Sequence, residues 1–255
     1  MSMIERTVPL LTGRVAVVTG AAGGLGAAIC ARLADHGCTV VLGYHRSEQA
    51  ARQLAESLPE GAHFCVRMPV TDSAALREAA RQIGERTGRV DVLVNCAGTT
   101  QFVPHDDLDG LDDTLIDTIL ATNIRGPFAA IRALRPWLEA SGDALVVNIS
   151  SIAARTAMGS NVMYCASKAA LDNMTASLAR ALAPSIRVLS VSPGLIDTEF
   201  VRSLDVQWRD TQAQATALGR LATPDEVADA VLAAATFLRF TTGVALPVDG
   251  GRPLA

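Results

Sequence analysis

With 255 residues the chain is long enough for one large α/β domain or two small ones, and its 49% hydrophobic share excludes disorder. A net charge of −4 without basic clusters argues against a nucleic-acid or anionic-membrane partner. No apolar run nears the roughly 20 residues that cross a bilayer.

The first residues, Met-Ser-Met-Ile-Glu-Arg-Thr, lack the basic and apolar regions of a secretory leader, so a cytoplasmic location is expected. Five cysteines, Cys30, Cys38, Cys65, Cys96 and Cys165, are odd in number and lie in apolar periodic segments. They read as core thiols in a reducing compartment. No Cys/His spacing suggests a metal site, and the four histidines are scattered.

In chain order, Arg14 to Gly20 reads as a buried strand running into a turn, and Gly24 to His36 as a helix stopped by Gly37. Cys38 to Gly43 is a second strand, Ser47 to Leu58 a helix with Ser47 at its cap, and His63 to Arg67 a third strand. A helix starts at Thr71-Asp-Ser, and Val90 to Asn95 is a fourth strand. A helical region from Leu111 to Leu138 follows, interrupted near Gly126-Pro127. Ala144 to Ile149, Ile186 to Val191 and Gly243 to Val248 are further strands, with helices over Asn161 to Leu182 and after Thr223. Gly194 to Gly219 reads as irregular. Strands alternating with crossover helices predict one doubly wound domain over 1–255, a mainly parallel seven-stranded sheet with helices on both faces.

Three stretches carry chemistry. Thr19-Gly-Ala-Ala-Gly-Gly-Leu-Gly26 follows a strand and opens a helix, as a dinucleotide turn does. Gly20 permits the tight turn, Gly24 and Gly26 permit close approach, and the helix N-terminus with Leu25 offers free N–H groups to a pyrophosphate. Past the second strand, Gly43-Tyr-His-Arg-Ser47 has no carboxylate to hold ribose hydroxyls. Arg46, with Tyr44 and His45, instead suits a 2′-phosphate, which predicts NADP(H) over NAD(H); a solvated Arg46 at a loop tip is the plain alternative. Tyr164-x-x-x-Lys168 sets a phenol and an ammonium on one helix face. A nearby cation is expected to pull the phenol pKa toward working pH.

These pieces together resemble the short-chain dehydrogenase/reductase family over nearly the whole chain. The matching residues are Thr19-Gly-x-x-x-Gly-x-Gly26, Asn95-Cys-Ala-Gly98, Asn123, Ser151, Tyr164-x-x-x-Lys168, Ser192-Pro-Gly194 with Thr198, and Val248-Asp-Gly-Gly251. Gly43-Tyr-His-Arg-Ser and Leu218-Gly-Arg-Leu-Ala-Thr-Pro-Asp-Glu resemble the 3-oxoacyl-carrier-protein-reductase-like branch.

The resemblance implies Tyr164 as general acid and base, Lys168 on the nicotinamide ribose, Ser151 on the substrate oxygen, and Asn123 positioning a water. It also implies Asn95, Ala97 and Gly98 lining the adenosine side and bracing the central sheet, and Pro193, Gly194, Ile196 and Thr198 seating the nicotinamide. Three positions depart from the family pattern: Cys96, Gly23 in place of a frequent arginine, and Pro69 where an aspartate meets the adenine, leaving Val70 to do so.

Ser150 rivals Ser151, although the spacing of thirteen residues to Tyr164 favours Ser151. Asn123 could instead cap or bridge helices. Asp91 and Asp249 read as turn or strand-end acids. Phe200 and Trp208 suit a substrate pocket or an oligomer contact, within a lid expected at about 195–219 that also holds Leu204. The faces around Ile131 and Leu171 suit either core packing or a homodimer or homotetramer.

The function expected is NADP(H)-dependent hydride transfer to a small carbonyl compound, most simply a ketone or 3-oxoacyl substrate. Arg125, Arg155 and Arg202 are candidate contacts for an acyl-carrier protein. An NAD-dependent alcohol, sugar or steroid dehydrogenase is the alternative, as is a cofactor-binding sensor or scaffold without turnover. An epimerase would want a larger C-terminal region.

Overall fold

The computed structural model describes residues 10–203 and 205–254; the N-terminal stretch weighed as a leader, Leu204 and the Phe200 side chain lie outside the described residues. Seven strands form one sheet in the order β3-β2-β1-β4-β5-β6-β7, every neighbouring pair parallel. The strands are β1 Val15–Thr19, β2 Thr39–Tyr44, β3 Phe64–Arg67, β4 Val92–Asn95, β5 Ala144–Ile149, β6 Ile186–Pro193 and β7 Ala245–Val248.

Near-continuous apolar runs make these strands, because both faces of the sheet are covered. Val18, Val94 and Val147 face α1 (Gly24–Asp35) and α10 (Pro224–Thr236), meeting Ile29, Leu33, Val227 and Val231. Val17, Leu93 and Val146 face α3 (Ser73–Thr87) and α5 (Gly126–Ser141), meeting Leu76, Ile83, Leu134 and Leu138. Each such side chain, fully buried, contributes roughly 1.5–3 kcal/mol.

The chain steps outward from β1 to β3 and then returns to place β4 on the other side of β1. That reversal opens a crevice at the carboxyl ends of β1 and β4, where open α/β sheets bind ligands.

Three local readings differ from the sequence expectation. The helix from Asp113 does not break at Gly126-Pro127. Between α4 (Asp113–Leu120) and α5 it widens into a π turn, Ala121–Arg125, in which the Gly126 N–H reaches the Ala121 carbonyl. Pro127 has no N–H for the Asn123 carbonyl four residues back, and the wider turn absorbs that loss without ending the helix.

The stretch expected to be irregular holds two helices, α8 (Glu199–Arg202) and α9 (Val206–Gln214), the second capped by Asp205 through the Trp208 N–H at 2.8 Å. Ser47 stands at the N-cap position of α2 (Glu48–Ser57) but makes no capping bond. Asp72 caps α3, accepting from Ala74 and Ala75, so this helix starts where expected. No described helix is long and apolar enough to cross a membrane.

Candidate active site

The glycine-rich turn is built as its sequence requires. Gly20 has φ +67°, and a Cβ there would stand 2.9 Å from the Ala97 Cα. A Cβ on Gly26 would overlap the Gly20 carbonyl, so the turn closes tightly only on glycine. The Thr19 hydroxyl accepts from Cys96 N and Ala97 N, both at 3.1 Å, locking the turn to the loop after β4. Gly23 caps α1 without a side chain, leaving the first N–H groups of the helix open toward the crevice.

The resulting cleft has a volume of about 880 Å³. Gly20, Gly24, Leu25 and Gly26 form one wall, and His45, Arg46 and Val70 a second. Ala97 and Gly98 line it from β4.

Next to Gly98, α7 (Val162–Leu182) brings up the phenol and the amine. The Lys168 ammonium is buried and donates to the Ile149 carbonyl at 2.7 Å, and it sits 5.7 Å from the centroid of the Tyr164 ring. Ser151 is the serine near enough to the Tyr164 hydroxyl to act on its pKa, and Ser150 is not. Ser150 is buried, and its hydroxyl finds no partner among the described residues. A Cβ on Gly98 would lie 3.5 Å from Asn123 Oδ1 and 3.8 Å from Lys168 Nζ, so these groups share one corner.

The electrostatics of that corner correct one expectation. Burial pushes the Tyr164 phenol above its ordinary value, and Ser151, not Lys168, is what opposes the rise. Burial also lowers the Lys168 amine to about 8. The helical spacing does make the two neighbours, but the ammonium turns to Ile149 and lies over the ring, away from a direct bond to the hydroxyl.

A model of the family described as enoyl-(acyl carrier protein) reductase matches residues 20–252. The chain is 33% identical to the 3-oxoacyl-acyl-carrier-protein reductase of Thermotoga maritima, covering 94% of this chain and 98% of that one. It is 36% identical to D-threitol dehydrogenase of Mycolicibacterium smegmatis, covering 94% and 93%. Among solved structures, a short-chain dehydrogenase/reductase from Serratia marcescens superposes with a TM-score of 0.88 at 33% identity, covering 95% and 99%. The chain belongs to the short-chain dehydrogenase/reductase family. It is therefore an oxidoreductase acting between carbonyl and alcohol groups with a nicotinamide nucleotide, NAD(H) or NADP(H).

The features of the cleft fit such a dinucleotide. The side-chain-free Gly20–Gly26 cradle and open α1 N-terminus suit a pyrophosphate. No group of three or more His, Cys, Asp or Glu able to hold an ion occurs among the described residues.

The remaining expected residues make contacts of their own. Asn95 is buried and donates to Asn148 Oδ1 at 2.8 Å, bracing β4 against β5. Tyr44 lies near Glu48, while His45 and Arg46 reach the cleft. Pro193 accepts the Ile152 N–H at 2.9 Å and so holds the Ser151 loop, and Gly194 donates to Val248 at 3.0 Å. Ile196 bridges to Ala222, and Thr198 faces Gly24, 3.9 Å from where its Cβ would be.

The Asn123 side chain is a brace. It accepts from Thr99 N at 2.9 Å and donates to Thr99 O at 3.0 Å and Ser167 Oγ at 3.1 Å. Ile131 and Leu171 are buried within this chain, so core packing accounts for them. Asp91 is a buried strand-end acid, and Asp249 caps Gly251 and approaches Arg155. Arg202 pairs with Asp197. Cys30, Cys38 and Cys165 are buried and Cys65 and Cys96 half-buried; all five are free thiols.

Sequence reasoning missed the fourth wall of the cleft: Asp117, Thr118, Ala121 and Thr122 from α4 and the π turn, with Thr71 and Thr99. On a helix these polar residues look like any solvated face, and only the sheet topology shows that they overhang the crevice.

Proposed function

We propose that this enzyme reduces a ketone or 3-oxoacyl compound with NADPH, and that Tyr164 supplies the proton. The observation behind this reading is the Ser151–Tyr164 hydroxyl pair, set beside a buried ammonium at the edge of a dinucleotide-sized cleft. Reductase relatives such as that of Thermotoga maritima support the direction. A phenol held above its ordinary pKa keeps its proton at neutral pH, which suits a donor.

In this mechanism the bound nicotinamide supplies the hydride, and the chain does the rest by position and charge. Ser151 and Tyr164 both donate to the carbonyl oxygen as it gains negative charge. Lys168, mostly protonated at neutral pH with its value near 8, favours the phenolate left behind and binds the nicotinamide ribose. Thr198 and Gly194 flank the nicotinamide side. The amide of Asn123 is fully engaged, so any water it positions toward Lys168 is held by its main-chain carbonyl.

Arg46 is exposed at the cleft and has no ion-pair partner among the described residues, which leaves its guanidinium available to a 2′-phosphate. Residues 195–219 form the lid over the substrate. Assembly into a homodimer or homotetramer is supported by the half-exposed Phe128, beside Ile124 and Met174 on an apolar groove. A cytoplasmic location remains part of this reading.

The test is turnover of purified protein with NADPH and NADH against acetoacetyl-CoA, ethyl acetoacetate, cyclic ketones and tetritols, alongside Tyr164→Phe. Reduction with NADPH that Tyr164→Phe abolishes supports the proposal; a Tyr164→Phe enzyme of near-native rate removes the phenol from its role. D-threitol dehydrogenase among the relatives gives a second reading, NAD-dependent oxidation of a small polyol. The tetritol arm decides it.

A further inference from the structure

Tyr164 is held by more than its own helix. Its N–H donates to Asn161 Oδ1 at 2.7 Å, and its carbonyl accepts from Ser167 Oγ at 2.7 Å. Ser167 in turn accepts from Asn123 Nδ2 at 3.1 Å. Asn123 grips Thr99 through both the N–H and the carbonyl of that residue. Two residues further on, the Gln101 carbonyl accepts from Asn161 Nδ2 at 2.7 Å, and Thr100 Oγ1 from the same nitrogen at 3.3 Å. A closed ring of hydrogen bonds therefore runs from the Tyr164 N–H through Asn161, the 99–101 loop, Asn123 and Ser167 back to the Tyr164 carbonyl.

The loop in that ring continues the Gly98–Thr99 wall of the dinucleotide cleft. Asn161 is 1% exposed, in extended backbone before α7. Its capping half is ordinary, and Ser, Thr or Asp would serve the Tyr164 N–H equally well. Ser and Thr carry one O–H and Asp no donor, so among the good caps only asparagine brings two N–H donors, and both bonds of that nitrogen run to the loop. The donor half has no use in capping, so its purpose lies across the gap.

We propose that Asn161 is a positioning residue that couples the cofactor wall at Gly98–Thr99 to the placement of the Tyr164 phenol. A dinucleotide seated against the wall fixes the 99–101 loop, and Asn161 passes that order to the first turn of α7. A second set of bonds fixes the same two segments in register: Val103 N donates to Ser160 O at 2.8 Å, and His105 Nε2 meets Gly159 O at 3.1 Å. A Cβ on Gly159 would in turn come within 3.1 Å of the Tyr164 ring, so a shift of this segment moves the phenol.

The inference rests on the proposed role of Tyr164, and the test separates the two. Asn161→Asp keeps the cap acceptor and has no donor, and Asn161→Ser keeps the acceptor on a shorter side chain whose one O–H cannot replace both N–H bonds to the loop. Each is expected to fold and to bind NADPH within about twofold of wild type by fluorescence titration, while kcat on ethyl acetoacetate or acetoacetyl-CoA falls about ten- to a hundredfold at unchanged KM. With the phenol misplaced, proton transfer limits the rate, so the solvent isotope effect on kcat/KM rises and the effect of deuterated NADPH shrinks. A merely structural loss would lower the melting temperature and leave both isotope effects as they were.

Hydrogen exchange on the wild-type protein needs no turnover. NADPH should slow exchange in the peptide spanning 160–166. No slowing there, or variants with native kcat and isotope effects, overturns the coupling. If exchange slows as expected but Tyr164→Phe keeps its rate, the linkage stands and the catalytic reading of the tyrosine fails.

Discussion

The Lys168 ammonium donates to the Ile149 carbonyl at 2.7 Å, at the last residue of β5 and immediately before the two serines. A buried amine anchored to the sheet end is a fixed charge, and its burial lowers it from 10.5 to about 8. Between those values the unfolded chain binds the proton and the folded chain does not. Stability from this group therefore rises with pH through that window, by about 3 kcal/mol in all. Below the folded value the burial penalty is fully present. Urea melts of wild type and Lys168→Met from pH 7 to pH 10.5 should show the difference shifting toward wild type by that order. Parallel pH curves would mean the amine is not desolvated. In the proposed mechanism the same variant also loses NADPH affinity and turnover, which a titration reads separately.

Ser151 opposes the burial that raises the Tyr164 phenol. Ser151→Ala removes a hydrogen bond to the reacting oxygen, and a lost donor of that kind costs roughly 10²–10³-fold in kcat. It also lets the phenol rise further. The pH at which alcohol oxidation reaches half its plateau should therefore move upward in the variant, because the base form appears later. An unshifted inflection would show that the hydroxyls do not communicate in the working enzyme. Ser150→Ala, on the buried side of the strand end, should leave the profile in place.

Much of this was legible in the chain. Val15 to Thr19, Val92 to Asn95 and Ala144 to Ile149 are apolar runs of strand length, and burial on both faces is what makes such runs. The turn at Gly20–Gly26 and the Tyr164–Lys168 spacing carry their geometry locally. What was hidden depended on partners distant in sequence. The Asp117–Thr122 wall is a polar helix face until β1 and β4 place a crevice under it. The π turn follows from Pro127, but its tolerance depends on Asn123 being held by Thr99 and Ser167. Spacing alone gave the Tyr164–Lys168 contact and not the burial, so the direction of the phenol shift could not be read from it.

Arg46 gives the nucleotide prediction. It is exposed and lines the cleft beside His45. Removing a charge-assisted hydrogen bond to a 2′-phosphate costs about 1.5–3 kcal/mol, which is roughly ten- to a hundredfold in affinity. Arg46→Ala should weaken NADPH by that much, leave NADH unchanged, and keep the melting temperature. Equal losses for both nucleotides, or tenfold tighter NADH in the wild type, would end the NADP(H) assignment.

At the opposite end of the strands, Asp91 shows how the scaffold is held, and it is 2% exposed. Its carboxylate accepts from Arg14 Nη1 at 2.8 Å, Arg89 Nη2 at 2.5 Å, Ser141 Oγ at 2.8 Å and Val15 N at 2.8 Å. Burial pushes its pKa up, but the bonds from Arg89, Arg14, Val15 and Ser141 outweigh it and leave the group below its ordinary value. A depressed carboxyl stabilises the fold above its unfolded pKa, and the contribution fades as pH falls through the folded one. Asp91→Ala takes the shared carboxylate from Arg14 and Arg89, which among the described residues keep only Asp143 at 3.6 Å and Ser141 at 3.3 Å, and should lower stability at pH 7 by about 3–5 kcal/mol, the range for breaking a buried pair. Both arginines are partly exposed, which puts the expected loss at the lower end. In urea melts the gap between wild type and variant should narrow below pH 4, since acid removes from the wild type what the substitution has already removed. A gap that stays constant into acid would mean packing around Asp91, not its charge, carries the effect. Because Asp91 precedes β4 while the cleft lies beyond its carboxyl end, the variant's kcat per folded molecule should match the wild type.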